Sequence, residues 1–275
     1  PSAAVLTLVP SAATTLEVTD FDQLRLVLGF STLGADTPAP ERARFWAQLP
    51  RTAALSDGLL RPADQRLRGE FGISQDDVAW EARWSGGDGP DGWVLAFHDD
   101  VPMAAVRRAV EARVGPLAGA VVDDARHLAT SAQPPAPAES WGADPALVGL
   151  TGNEAVSTYV ERGCTPFDTV FGAGMEEQLA AAPAAALHGL DELEAWSIAL
   201  GTELATVQLG EARKDAFDRM RLAEVMPPTR PEFGLVLARG VADPESGRLG
   251  YVLSDPPAAA RLTRERHLPF TVCPS

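Results

Sequence analysis

Glu81, Arg83 and His98 are the polar residues best placed for chemistry in this chain. Glu81 and Arg83 stand two apart in the run VAWEARW (78–84), so in a strand their side chains share one face. His98 closes the next apolar run and is followed by Asp99 and Asp100. An imidazole beside a carboxylate is the arrangement of an oriented base or of a metal ligand. If the two runs pair as a hairpin, the three residues become cross-strand neighbours and a candidate ligand-binding cluster. A surface ion-pair ladder accounts for the same residues, as does a solvated strand end whose carboxylates cap the next helix.

The remaining chemistry is sparse. No HExxH, P-loop, SxxK or GxSxG motif is present, and residues 29–34 (GFSTLG) have the wrong spacing for a nucleophile elbow. The glycine-rich loop at 85–92 precedes no helix, so it reads as a hairpin turn and not as a phosphate cradle. No metal site and no cofactor is expected. His127, His188 and His267 are scattered, and the six tryptophans read as core. Cys164 and Cys273 lack CxxC spacing, which excludes a redox pair or a zinc knuckle. In an exported protein they pair most simply with each other, a closure worth about 4–5 kcal/mol in the loop-entropy model. Two unrelated thiols is the alternative.

Composition narrows the partners. The 275 residues carry a formal charge of −15, which disfavours nucleic acid. The basic residues are arginines apart from Lys214, as expected of a GC-rich genome. Residues 1–15 (PSAAVLTLVPSAATT) are small and rich in Ala, Pro, Ser and Thr, which suits a flexible tether behind a cleaved export signal. A trimmed cytoplasmic chain is the competing reading. No apolar run reaches membrane-spanning length. The expectation is an extracytoplasmic protein, secreted or membrane-anchored as a lipoprotein, peripheral to the membrane through its tether.

The elements that must position these residues follow from periodicity. Stretch 77–130 reads as strand, turn, strand, helix and strand, and 233–273 reads as a weaker copy of it. Residues 16–131 fit the order βαββαβ, and 196–273 fit it with one extra strand in front, which makes 16–131 and 196–275 the two halves. The fold class expected is therefore α+β: two tandem ferredoxin-like halves packed sheet to sheet as an intrachain pseudo-dimer, with 132–195 as linker and helical connector. An amphipathic helix is expected over 211–224 with Phe217 and Met220 inward. Function is expected to be non-catalytic: binding of a small ligand or an envelope protein. The alternative is an enzyme with its active site in a cavity between the halves, by analogy with α+β barrels.

Overall fold

Leu16 and Val18 are at most 2 % exposed and are flanked by less buried Thr15 and Glu17; this alternation makes strand β1 (Thr15–Asp20). In the computed structural model, which describes all residues except 31–32, 88, 90, 174–188, 226–231 and 275, β1 belongs to the first of two units, Pro1–Asp144 and Pro145–Ser275.

In the first unit a single helical turn, α1 (Ser2–Val5), precedes β1. Asp20 ends the strand and caps α2 (Phe21–Val27), accepting from Gln23 N at 2.9 Å, a contact generally worth about 1 kcal/mol. Gly29, at φ +78°, lets the chain leave the helix. Helices α3 (Ala39–Gln48) and α4 (Asp64–Phe71) follow, and Gly72 closes α4 in the left-handed conformation. The hairpin β2 (Val78–Ser85) and β3 (Gly92–Phe97) forms about the glycine loop, with Glu81 opposite Leu95 and Arg83 opposite Trp93. Gly92 is required there, because a Cβ would lie 2.3 Å from the Trp84 ring. Amphipathic α5 (Met103–Glu111) buries Met103, Ala105, Val106 and Ala109. Strands β4 (Val121–Asp123) and β5 (Leu128–Thr130) end the sheet, whose order is β4-β5-β3-β2-β1 with every pair antiparallel.

The second unit opens with a short helix, α6 (Pro145–Gly149), then β6 (Ser157–Arg162) and α7 (Phe167–Phe171). It continues through β7 (Ala195–Leu200), β8 (Leu204–Gln208), α8 (Ala216–Arg221), α9 (Glu232–Val236), β9 (Leu237–Asp243), β10 (Arg248–Leu253) and α10 (Pro256–Arg264). Its strand order is β6-β7-β8-β10-β9, again antiparallel throughout. Its core is aromatic: Phe270 lies 6.0–6.1 Å from the rings of Tyr251, Trp196 and Phe233.

Several expectations are corrected. Among the described residues each unit has five strands, and the first two of each, β1 with β2 and β6 with β7, pair directly and antiparallel, whereas a ferredoxin-like split βαβ unit leaves its helix-linked strands parallel with another strand between them. The single strand expected at 120–130 is a hairpin, because Asp123 accepts from Arg126 N at 3.1 Å and His127 takes φ 52°, turning the chain. Residues 154–162, expected helical, hold β6, where Thr158, Tyr159 and Val160 supply strand-forming side chains. Residues 233–236 are helical, and 269–271 form a 3-10 turn instead of a last strand. The copy expected at 233–273 therefore reduces to a hairpin followed by a helix. The two hairpins also sit at different places, β2–β3 in mid-sheet and β9–β10 at the edge. Residues 1–15 are not an unpacked tether: Val5, Leu6, Leu8 and Val9 are at most 3 % exposed, as their apolar side chains require. In α8 Arg219 and Ala216 face inward and Met220 is half-buried, but Phe217, expected inward, is 46 % exposed.

Candidate functional site

Asp22 and Arg25 lie three apart on α2 and so meet on its surface, the Arg25 Nη1 donating to Asp22 Oδ1 at 2.7 Å. Arg25 also lies on the inward side of the helix with Phe21 and Leu24, and it is 2 % exposed. Burial of a guanidinium requires acceptors. Its Nη2 finds two, the carbonyls of Asp76 and Val78 at 2.9 and 3.0 Å, just ahead of and at the start of β2. Burial pulls the Arg25 guanidinium below its ordinary value, opposed by Asp22, Asp76 and Asp77.

His98 reaches the same carboxylate from the end of β3. Its backbone N donates to Asp77 O at 3.1 Å, and His127 Nδ1 donates to its carbonyl at 3.1 Å. The main chain is thereby fixed, and the ring places Nε2 at 2.8 Å from Asp22 Oδ1. Burial pushes the Asp22 carboxyl up, but the hydrogen bond and charge of His98, together with Arg25, outweigh it and hold the group below its ordinary value. An ionised Asp22 only accepts, so His98 Nε2 donates to it. Arg25 Nη1 and His98 Nε2, 3.4 Å apart, converge on one oxygen as donors.

A cavity of about 710 Å³ opens on this cluster. Asp22, Arg25 and Leu26 of α2 form one part of its lining, and Leu33, Gly34 and Thr37 of the following loop another; Asp36, Asp77, His98 and Asp100 complete it. The loop is held by Asp77, whose carboxylate accepts from Ala35 N at 2.8 Å and from Ser74 N at 2.6 Å. Burial raises the Asp77 carboxyl, and these hydrogen bonds oppose the rise.

Gln75, Asp76 and Asp77 are consecutive, at most 8 % exposed, and turned toward three different segments. Gln75 accepts from Leu60 N at 2.7 Å, Asp76 from Trp46 Nε1 at 2.7 Å and Arg68 at 3.1 Å, and Asp77 holds the 33–37 loop. This turn, with its Ser74 capping box, is the hub that supports the cavity. The Ser74–Asp77 spacing is the sequence signal for it.

Of the residues singled out in the sequence, Glu81 and Arg83 come together, with Arg83 Nη2 3.4 Å from Glu81 Oε1. Glu81 is 1 % exposed and is taken up by its own surroundings: the Ser56 hydroxyl, Leu59 N at 2.9 Å and Gln75 Nε2 at 3.3 Å all donate to it. It anchors the 56–60 loop. His98 makes no hydrogen bond to either residue among those described and belongs to the Asp22–Arg25 cluster. Sequence reasoning missed Asp22 and Arg25; an arginine on the apolar side of a short helix was the available signal. His188 lies outside the described residues.

In the second unit Cys164 and Cys273 lie at disulfide distance, with S–S 1.95 Å and Cα–Cα 4.9 Å. Nearby, Thr165 and Thr271 hydroxyls bond at 2.8 Å, and Cys273 N donates to Thr165 O at 3.0 Å. Glu161, raised by burial against the opposing pull of Arg266 and Tyr159, accepts from both. Among the described residues no group of three or more His, Cys, Asp or Glu is placed to hold a metal, and no helix is long and apolar enough to cross a membrane. No family model, no curated protein and no solved structure matches this chain.

Proposed function

We propose that this is a non-catalytic, extracytoplasmic protein that binds a small molecule in the cavity of its first unit. The observation that carries the reading is that cavity, of about 710 Å³ and built on the Asp22–Arg25–His98 cluster. Fixed polar groups converging on a concave site are the mark of a ligand pocket. The cysteine pair supports an oxidising compartment. Screening small polar molecules by thermal shift, on the wild type and on a Thr37→Trp variant that occupies the cavity, tests this. Ligands of the cavity stabilise the first protein and not the second. Ligands that stabilise both equally bind elsewhere and overturn the reading.

The Asp22–His98 pair favours one second reading. An imidazole oriented by a carboxylate is the arrangement of a general base. Under this enzymatic alternative a bound molecule is turned over, and His98→Gln abolishes turnover while binding persists.

A further inference from the structure

We infer that the cavity takes an aliphatic organic cation carrying more than one ammonium group; the inference rests on the binding role proposed for this site. Hydrogen-bond accounting carries it. The side-chain N–H donors of the lining belong to Arg25 and His98, and both residues are engaged. Arg25 Nη1 and Nη2 serve Asp22 and two carbonyls, and its Nε, which has no acceptor, is sealed from solvent. His98 Nε2 serves Asp22. An anion would find a single uncommitted N–H of Arg25, on Nη1, and four carboxyls to repel it.

The acceptors are the reverse case. Asp36 and Asp100 are exposed, and among the described residues no partner occupies their carboxylates; Asp22 Oδ2 is also unused. Four carboxyls of the lining face one guanidinium. Ammonium donors complement these oxygens through charge-assisted hydrogen bonds. Leu26, 64 % exposed, and Leu33 supply apolar wall for the methylenes between the charges. A bare divalent ion fits poorly, since such ions take six or more oxygen ligands and no described group of three is placed for one.

Spermidine is the probe, with citrate and Mg²⁺ as comparators, followed by calorimetry and by the His98 ring resonances in NMR, assigned through His98→Gln. Spermidine binds one per chain and shifts His98. The double variant Asp36→Asn/Asp100→Asn weakens it by roughly tenfold or more. The charge-matched control Glu111→Gln/Glu139→Gln, exposed residues that do not line the cavity, changes it less than about twofold, as expected for screened distant charges. Equal weakening by the two variants means attraction to the overall negative charge and overturns the inference. So does Mg²⁺ binding as tightly as spermidine. Citrate shifting His98 while spermidine leaves it unmoved overturns the ligand class and keeps the binding site. If neither shifts His98 and no screened molecule discriminates Thr37→Trp from wild type, the binding role itself fails.

Discussion

Arg25 in the first unit and Arg219 in the second each donate to two carbonyls two residues apart, Asp76 and Val78 for one, Phe270 and Val272 for the other. Each also binds an aspartate on or beside its own helix, Asp22 or Asp215. The carboxylates differ. Asp215 is fully buried, is shared with Arg213, and is held below its ordinary value by Arg213 and Arg219 against the upward push of burial. Asp22 is 54 % exposed and is shared with His98 at the cavity. The same device closes one unit and leaves the other open. A buried guanidinium whose carboxylate is sealed is a post, while one whose carboxylate meets solvent can also be the floor of a site.

Arg219→Met tests the sealed case. It leaves Asp215 without its buried partner and costs about 3–5 kcal/mol, read as lost hydrogen-exchange protection in β8 and β10. Arg25→Met costs less, about 2 kcal/mol, since Asp22 can return to water. Equal losses would break the comparison. Cys164→Ser/Cys273→Ser comes next at about 3 kcal/mol, given the 109-residue separation. Arg219 and the Thr165–Thr271 contacts still hold the segment, so near-ultraviolet dichroism should persist; its loss would show that the cysteines hold the segment alone.

A titration sets the first unit apart. Burial pushes the Asp64 carboxyl up to about 6, against the pull of its hydrogen bond from Gln75 N and with help from Asp76. A raised carboxyl favours the folded state at low pH, and that preference fades as pH climbs from the unfolded value through the folded one. Between pH 4 and 6.5 the unfolding free energy of wild type should fall relative to Asp64→Asn by on the order of 2 kcal/mol. A gap independent of pH would refute the assignment. The smallest effect is at Asp22. Its lowered value contributes stability above the unfolded value that is lost as pH falls through the folded one, and Asp22→Asn should cost under about 1 kcal/mol. Asp215→Asn, by contrast, should cost about 3 kcal/mol in denaturant unfolding.

Local chemistry was legible in the sequence where neighbours decide it. Alternation around Trp80–Trp84 and the glycine loop gave the β2–β3 pairing, and Asp20 and Asp255 cap helices as their positions suggest. The cysteine pairing was legible by count. Strand order was not, since antiparallel β1 and β2 are separated by three helices and nothing local encodes which edges meet. The cavity was hidden for the same reason. His98 carried its own signal, but its partners lie 73 and 76 residues away, and an Asp–Arg pair three apart resembles any surface helix pair. Glu81 stands out as an acid in an apolar strand; its burial there is met by three donors from other segments, Ser56, Leu59 and Gln75.

The strand order also sets a timetable. In both units the last hairpin joins the sheet through its second strand, β5 or β10, and its first strand becomes the edge. As the chain emerges during synthesis, β4 and β9 therefore appear before the strand that alone can seat them. Until residues 128 and 248 have been added, each nascent sheet ends at β3 or β8 with an unpaired edge. That interval, recurring in each unit, is when the growing chain is most open to pairing with the wrong strand.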